Sequence, residues 1–371
     1  MIADELLTGS PTARARALKR LGFSNPTVAG ANLEALTPTP RDAELLAPAL
    51  PRLLAELSAA ADPDMALNNL ERYAEVVDRT VLFRTLAAHP GAAHLLARLG
   101  GSSQFLADAL RRRPVALVWL LEPSTMRVWF AEDFATDLAH SLAAFPGREA
   151  RMNALRRFKY RHLLRIGARD LLGDADLGVT TEELARLADT CLGEAWRMAD
   201  AEARVRFGAP RDDAGAETGL AVIGMGKLGG QELNYSSDID LMFVYGAEGE
   251  TAGGREGRLS NGEYFGRVGR EIIEIIESVT DEGNIFRVDM RLRPEGRVGA
   301  IALSLEGYHA YHRERAAPWE RQALLKARVS AGDERVGAQF MDLARGVVYR
   351  QGLDERVVPA IRGMKREIDR S

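Results

Sequence analysis

Two aspartates separated by one residue, Asp238 and Asp240, stand at the start of an apolar run in the segment SSDIDLMFVY. Side chains two residues apart on a strand point to the same face, so the two carboxylates are expected side by side. Adjacent carboxylates repel each other and raise their own pKa values unless a cation lies between them. Mg²⁺ is such a cation, because it binds carboxylates together with the phosphates of a substrate. The pair therefore predicts a site for metal-dependent phosphoryl chemistry.

A second segment, IFRVDMRLR, alternates apolar and charged residues with the period of a strand. Its charged face carries Asp289 among three arginines, Arg287, Arg291 and Arg293. The carboxylate can complete the metal site, and guanidinium groups bind phosphate oxygens. The same pattern is also typical of a solvated strand face with internal charge pairs. Together with the Asp-x-Asp pair it favours a site in which Asp238, Asp240 and Asp289 hold one or two Mg²⁺ ions.

A glycine-rich turn, GMGKLG, follows the apolar run LAVI and places Gly224, Gly226 and Gly229 at the spacing of a dinucleotide-binding turn. Glu248 even lies about 20 residues further on, as that motif requires. However, a parallel crossover needs about a dozen or more residues, usually in a solid helix, and KLGGQELNYSSD does not provide one. The alternative that we favour is a turn whose backbone amides and Lys227 face a phosphate.

These considerations give a set of residues for phosphate or nucleotide binding. It comprises Gly224, Gly226, Lys227, Gly229, Ser237, Arg287, Arg291 and Arg293. Lys326 and Arg328 are weaker candidates and are expected to be surface charges. His309 and His312 have helical spacing but no acidic or cysteine partner beside them, so a packing or surface role is expected.

The elements that must position these residues follow a long helical region. Up to Phe207 we find six or more amphipathic helical patterns and no strand, with Asp62 as an N-cap before Pro63 and a threonine cap in TTEELAR. Residues 208–219 form a polar, glycine-rich connection. Three strands are then predicted, in LAVIG, IDLMFVY and IFRVDMRLR, and an amphipathic helix over 261–279 lies between the last two.

Two further helices are predicted after the third strand, one capped by Ser304 and one in WERQALLKAR. The predicted fold class is therefore α+β, with a small mixed sheet after a mostly helical region. The predicted domains are 1–207, helical; 208–335, with the sheet and the candidate site; and 336–371, the start of a further helical region. The final segment VVPAIRGMKREIDRS predicts a helix that continues beyond Ser371.

Composition narrows the possible partners and locations. The net charge of -4 and the pI of about 6.0 do not favour a nucleic-acid-binding protein. The sequence has no apolar stretch of about 18 residues, so no membrane span is predicted. The N-terminal residues do not resemble a signal peptide. The single cysteine, Cys191, is expected to be buried and inert. One cysteine cannot form a disulfide within the chain, which fits a reducing cytoplasm.

The chain resembles a known family through GMGKLGGQELNYSSDIDLMFVY and FRVDMRLRPEGRVGAIALSLEGYHAYHRERAAPWERQALLKAR. These segments are similar to the bifunctional glutamine synthetase adenylyltransferase/adenylyl-removing enzymes, members of the polymerase-β-like nucleotidyltransferase superfamily. The close match covers residues 220–329, and the preceding helical segments match more loosely. The resemblance implies a glycine turn, a short helix, an Asp-x-Asp strand and a third Asp on a neighbouring strand.

Members of this family carry two nucleotidyltransferase domains, and the position of the site along this chain resembles the N-terminal one. In the family this N-terminal domain is a phosphorolytic de-adenylylase, so the resemblance implies phosphorolysis. In that reaction phosphate attacks the AMP on a tyrosine of glutamine synthetase and releases ADP. The C-terminal domain adenylylates with ATP. The implied partners are glutamine synthetase, a PII-type signalling protein and the C-terminal adenylyltransferase half.

No residue fixes the direction of the reaction, so ATP-dependent adenylylation and another nucleotidyl transfer stay open. A catalytically silent domain that binds a PII-type protein is a third possibility. The intact set of three carboxylates argues against it, because a degenerate domain is expected to lose at least one of them.

Overall fold

The computed structural model describes residues 6–7, 9–349, 359, 362–363 and 365–366. The predicted helix in VVPAIRGMKREIDRS, and the predicted region 336–371 beyond Tyr349, lie outside these residues except for five positions. By internal packing the chain divides into two compact units. Unit 1 comprises Met1–Val128 and Tyr160–Thr180, and unit 2 comprises Trp129–Lys159 and Thr181–Ser371. The predicted domain limits at 207 and 335 were drawn on composition and stay predictions.

Most of unit 1 is built from short helices that are packed around leucine and alanine side chains. Asp62 accepts a hydrogen bond from the amide of Met65, and Pro63 opens the helix, as predicted. Asn25 and Thr39, in segments that the sequence marks as breaks, likewise cap the helices that follow them. The helices are α1 Pro11–Arg20, α2 Pro26–Leu36, α3 Pro40–Leu46, α4 Leu50–Ser58, α5 Pro63–Ala74, α6 Arg79–Ala88, α7 Pro90–Ser102, α8 Gln104–Arg112 and α9 Ala116–Leu120.

Three further helices precede the sheet: α10 Ala131–Leu142, α11 Arg148–Leu172 and α12 Leu177–Phe207. The predicted threonine cap is wrong. α12 begins earlier, because the Asp176 carboxylate accepts a hydrogen bond from the Val179 amide and takes the capping role. Cys191 lies fully buried on α12, and burial raises the pKa of its thiol to about 12.

The main sheet of unit 2 has five strands and is mixed, which confirms the predicted α+β class. Its strands are β2 Leu220–Met225, β3 Ile239–Tyr245, β5 Val288–Asp289, β6 Ala302–Ser304 and β7 Arg328–Gly332. The order is β5-β3-β2-β7, and β6 also pairs with β3. Two short strands, β1 Pro210–Asp212 and β4 Gly249–Thr251, form a separate antiparallel pair. Since β2 and β3 are antiparallel, the dinucleotide-binding crossover that we disfavoured does not occur.

Helices cover both faces of this sheet. Ile223 and Val244 belong to a core cluster with Tyr308 and Phe340, which lie on α15 Leu305–Glu314 and α17 Glu334–Val348. On α14 Asn261–Glu277, Gly269 lies so close to Phe243 that a Cβ there would be 3.1 Å from the ring. The remaining elements are the four-residue helix α13 Gly226–Gly229 and α16 Pro318–Ala323.

Two local predictions are corrected, one strand is added and one prediction is confirmed. The strand in IFRVDMRLR ends at Asp289, and the chain then enters a turn, so the alternation does not extend to Arg293. Strand β7 was not predicted. Val279 is 80% exposed and lies after the end of α14, outside the apolar stripe. Ser304 caps α15 as predicted, by accepting a hydrogen bond from the Gly307 amide.

Candidate active site

Three carboxylates meet at one end of two neighbouring parallel strands. β3 and β5 pair in the register Ile239 with Val288 and Asp240 with Asp289. Asp238 directly precedes β3, and Ile239 between the two aspartates is fully buried. This arrangement follows from the sequence DID, because the buried isoleucine fixes the strand and the two flanking carboxylates are left at its accessible side.

The charges of the cluster act on one another. The pKa of Asp240 is raised, first by burial and then by the neighbouring Asp289 and Asp238. The pKa of Asp289 is instead lowered, first by a hydrogen bond from the side chain of Arg291. The predicted mutual repulsion is therefore visible at Asp240, whereas Asp289 is held as a carboxylate by its arginine.

Two of the predicted phosphate ligands are paired with carboxylates in this structure. Nε of Arg287 donates to Oδ1 of Asp238 at 2.5 Å. Arg291 donates to Asp289 from its backbone amide, at 2.8 Å, and from Nε, at 2.7 Å. Both guanidinium groups are largely exposed, so the pairs are weak enough to exchange for other ligands.

In the described part of the chain, no group of three or more His, Cys, Asp or Glu side chains is arranged as a metal centre. Two of the three carboxylates are turned toward arginines instead. The donor set itself fits Mg²⁺, since it consists of carboxylate oxygens and the repulsion at Asp240 would be relieved by a cation. The residues are thus chemically suited to the predicted ion.

Residues 224–230, which we call the glycine turn, run from the end of β2 through α13. Met225 pairs with Asp240 in the sheet, so the turn begins directly beside the carboxylates. Gly226 has a φ of 52°, and a Cβ there would overlap the Asp240 carboxylate. A Cβ on Gly229 would overlap the carbonyl oxygen of Lys326. These two glycines are needed because the backbone of the turn approaches its neighbours so closely.

Arg328, expected at the surface, is half-buried and holds the glycine turn. Its two terminal nitrogens donate to the Asp189 carboxylate at 2.7 and 3.1 Å. One of them also donates to the carbonyl oxygen of Leu228 at 3.1 Å. Lys326, as expected, is a partly exposed charge and pairs with Glu232 at 2.5 Å.

Residues 290–299, which we call the arginine turn, follow β5. Arg293 is buried there and donates to the carbonyl oxygens of Met290, Arg297 and Gly299 at 3.1–3.3 Å. The prediction that Arg293 binds phosphate is therefore corrected, because its donors bind carbonyl oxygens inside the turn. The hydroxyl of Ser237, also predicted as a ligand, donates to the side chain of Asn234 at 2.7 Å.

One positioning residue escaped the sequence analysis. Arg156 is fully buried and donates to the carbonyl oxygens of Ile275, Ser278 and Gly283 at 3.1, 2.5 and 2.8 Å. These carbonyls belong to the end of α14 and to the turn that leads into β5. The segment RRFKYRH carried the only signal, a basic run inside a helix, and such a run is usually a solvated face.

The two histidines of α15 lie apart from the predicted site residues. His312 is half-buried against the rings of Tyr308 and Tyr311, with no hydrogen-bond partner for either ring nitrogen among the described residues. His309 and His312 border a cavity of about 440 Å³. The expected packing role fits His312, although its nitrogens are not satisfied.

The mixed sheet, with the glycine turn and the carboxylates at its edge, defines a nucleotidyltransferase-like domain. The family described as glutamate-ammonia ligase adenylyltransferase matches residues 93–343, and the chain belongs to this family. The predicted resemblance is thereby confirmed.

Curated relatives support the same assignment, and each is a bifunctional glutamine synthetase adenylyltransferase/adenylyl-removing enzyme. The relative from Thioalkalivibrio sulfidiphilus is 40% identical over 276 residues, which are 74% of this chain and 28% of the relative. That from Hahella chejuensis is 40% identical over 269 residues, 72% and 28% of the two chains. That from Nitrosococcus oceani is 37% identical over 300 residues, 80% and 31%. The chain thus spans less than a third of the length of these relatives.

Among the described residues, none of the helices has the length and apolar character needed to cross a membrane.

Proposed function

We propose that this chain removes AMP from adenylylated glutamine synthetase by phosphorolysis, at a Mg²⁺ site formed by Asp238, Asp240 and Asp289. The observation that carries the proposal is the register of β3 and β5, which brings carboxylates from both strands together. The names of the relatives support AMP as the transferred group and glutamine synthetase as the substrate.

The reaction is a displacement at the phosphorus of AMP. An oxygen of inorganic phosphate forms a bond to this phosphorus, and the bond to the tyrosine oxygen breaks. ADP leaves, and the phenolate, whose conjugate acid has a pKa near 10, takes up a proton. Mg²⁺ held by the three carboxylates would neutralise charge on the phosphates and on the departing oxygen.

The chain's own residues have separable roles in this proposal. Asp238, Asp240 and Asp289 would hold the cation, whose charge would offset the repulsion that, after burial, raises the pKa of Asp240. Arg287 and Arg291 neutralise two of the carboxylates until cation and substrate arrive, and then contact phosphate oxygens. Lys227 and the amides of the glycine turn contact the nucleotide phosphate. Arg293 and Ser237 are left out.

The test uses adenylylated glutamine synthetase, this chain, Mg²⁺ and inorganic phosphate, with ADP release as the readout. Asp240→Asn should lower turnover by about 100-fold or more, because one carboxylate ligand is lost. Asp213→Asn is the matched control, since it removes an exposed acidic charge elsewhere and should leave turnover unchanged. Equal activity of the wild type and Asp240→Asn would refute the proposed site.

ATP-dependent adenylylation is the second candidate, because the relatives are named for both activities. A parallel reaction therefore supplies ATP and unmodified glutamine synthetase. AMP transfer there, with no ADP in the phosphate reaction, would assign the opposite direction. Silence in both reactions would favour a regulatory domain, for which a PII-type signalling protein is the proposed partner. We also propose a cytoplasmic location and cooperation with an adenylyltransferase half.

A further inference from the structure

We propose that Arg328 is a positioning residue of the nucleotide site. Together with Asp189 it holds the glycine turn against Asp240, and the affinity for ADP depends on its hydrogen bond to that turn. This rests on the proposed function in one respect, namely that the glycine turn contacts the phosphates of the nucleotide. Sequence patterns indicate Arg328 only as a weak phosphate ligand, and they indicate no role for Asp189.

The sheet places the start of the glycine turn between Arg328 and Asp240. Strand β2 lies between β3 and β7 and is antiparallel to both. At the end of β2, Gly224 is opposite Arg328 of β7, and Met225 is opposite Asp240 of β3. The turn therefore leaves β2 with a carboxylate of the cluster on one neighbouring strand and the arginine on the other.

The backbone of the turn is in close contact on both of these sides. A Cβ on Gly226 would overlap the carboxylate of Asp240 in β3, and a Cβ on Gly224 would overlap the hydroxyl of Ser330 in β7. Because the turn lies directly against Asp240, a shift of its backbone changes the space beside that carboxylate. What holds the turn on the β7 side thus decides how the nucleotide site is formed.

Arg328 connects the turn to helix α12. Its Nη1 and Nη2 atoms donate to the two oxygens of the Asp189 carboxylate at 2.7 and 3.1 Å, and Nη2 also donates to the carbonyl oxygen of Leu228 at 3.1 Å. Such a paired contact fixes the plane of the guanidinium. Asp189 is itself held in place, because its neighbours Ala188 and Cys191 on α12 are fully buried. The bond to Leu228 therefore keeps the turn at a fixed distance from a packed helix.

The turn has little stability of its own. Its helix α13 has only four residues, and so short a helix does not form in isolation. Without the bond from Arg328, the turn is expected to occupy other positions for part of the time. The apparent affinity of a ligand falls by the fraction of molecules in the competent conformation. Arg328 can thus strengthen nucleotide binding without contacting the nucleotide.

The binding experiment titrates ADP, with Mg²⁺, into this chain in a calorimeter, at a temperature where every variant is folded. It compares Asp189→Asn with the double variant Asp189→Asn/Arg328→Met. Both lack the charge of Asp189, and the double variant also leaves no buried charge unpaired, which favours its folding. It should bind ADP about tenfold more weakly than the single variant, which is the loss expected for a charged hydrogen bond.

Hydrogen exchange without ADP separates a change in the turn from the loss of a positive charge. The amides of Gly230 and Gln231 donate to carbonyls of the turn, at 3.1 and 3.2 Å. Exchange in a peptide covering residues 224–232 therefore reports the opening of the turn. It should be faster in the double variant than in Asp189→Asn.

The matched control is Arg151→Met/Glu194→Gln. It removes another arginine–carboxylate pair of α12, in which Glu194 is buried. No hydrogen bond found among the described residues joins Arg151 or Glu194 to the glycine turn. Stability can fall in this variant, but its ADP affinity and its exchange over residues 224–232 should stay at the wild-type values.

Equal ADP affinity in Asp189→Asn and the double variant would overturn the proposed role of Arg328. Weaker binding without faster exchange would also overturn it, because the cause would then be the lost charge. The same conclusion would follow from equal weakening by the control variant, or from a wild type that binds no ADP.

The de-adenylylation assay distinguishes this role from the proposed function. ADP binding that depends on Arg328, in a chain that releases no ADP from adenylylated glutamine synthetase, would support the positioning role and contradict the proposed function. Phosphate-dependent turnover by the wild type, with equal ADP affinity in the two variants, would do the reverse.

Discussion

The glycine turn and the arginine turn can be compared directly, because each leads from a strand that carries or pairs with a carboxylate of the cluster. Each carries an exposed cation, Lys227 or Arg297, whose charge acts on a carboxylate of the cluster. Each is also fixed by an arginine that donates to its backbone carbonyls, Arg328 in the first and Arg293 in the second. The turns differ in what surrounds the arginine that fixes them.

Arg328 has a largely buried counter-charge, Asp189, whereas Arg293 makes no ion pair among the described residues. Burial accordingly lowers the pKa of Arg293. The glycine turn has no space for a side chain at Gly229, and the arginine turn has none at Gly299 but leaves space at Gly296. The glycine turn should therefore be more sensitive to charge balance, and the arginine turn to the loss of hydrogen-bond donors.

The largest effect is expected for Arg328→Met, which leaves Asp189 buried without its counter-charge. The free energy of unfolding should fall by about 3–5 kcal/mol, as measured by urea denaturation. The double variant Asp189→Asn/Arg328→Met should recover part of this loss. Equal losses in the single and double variants would show that the ion pair is not the cause.

The loss in Arg328→Met should also depend on pH. Burial raises the pKa of Asp189, and Arg328 opposes this shift, so its removal raises the folded-state pKa further. A raised folded-state pKa gives stability that is fully present below the unfolded value of about 3.9 and is lost as pH rises through the folded value. Arg328→Met should therefore be closer to the wild type at pH 4 than at pH 8. The opposite trend in denaturation at the two pH values would contradict this account.

A smaller effect separates two glycine positions, one in each turn, by the space around them. Gly229→Ala would overlap the carbonyl of Lys326 and should reduce stability by about 3 kcal/mol. Gly296→Ala has space but a φ of 55°, so a loss of about 1 kcal/mol is expected. Thermal unfolding of both variants tests the ranking, and a reversed order would show that the space around each glycine does not determine the loss.

The next smaller effect on stability is expected when hydrogen-bond donors are removed from the arginine turn. Arg293→Met keeps most of the volume but leaves the carbonyls of Met290, Arg297 and Gly299 without this donor. We expect the free energy of unfolding, measured by urea denaturation, to fall by about 2 kcal/mol, because these carbonyls lose a charged donor. Arg313→Met is a control on an exposed arginine and should leave the free energy of unfolding unchanged. An unchanged free energy of unfolding in Arg293→Met would show that these hydrogen bonds do not stabilise the turn.

The smallest effect on stability is expected for Lys227→Ala, within about 0.5 kcal/mol of the wild type, because the side chain is exposed. Its charge lowers the pKa of Asp240, so the substitution should raise that pKa further. Carboxyl ¹³C NMR titration measures the change, and a lower pKa in the variant would contradict it.

The same two turns show how far sequence patterns reach. The glycine turn, β2 and β3 were predicted correctly, because their apolar runs and glycine spacing are local signals. Asp238, Asp240 and Asp289 were chosen from strand periodicity, and the register brings Asp240 and Asp289 opposite each other. Their assignment as metal ligands stays a prediction.

The arginine turn was missed because alternating residue types do not show where a strand ends. Arg293 continues the pattern of IFRVDMRLR, but its partners are carbonyls of a turn that exists only after folding. Arg156 was missed for a related reason, since its carbonyl partner at Gly283 is 127 positions away. β7 is short and only half-buried, so it lacks the apolar run that identified β2.

The burial of Cys191 has a practical consequence. It is the only cysteine in the chain, it is fully enclosed, and it lies on α12 two residues from Asp189. A thiol reagent can reach it only when the packing around that part of the helix opens, so the rate of alkylation in native buffer reports the frequency of such openings. The alkylation rate of Cys191 therefore measures local opening of α12 near Asp189, and no label has to be introduced.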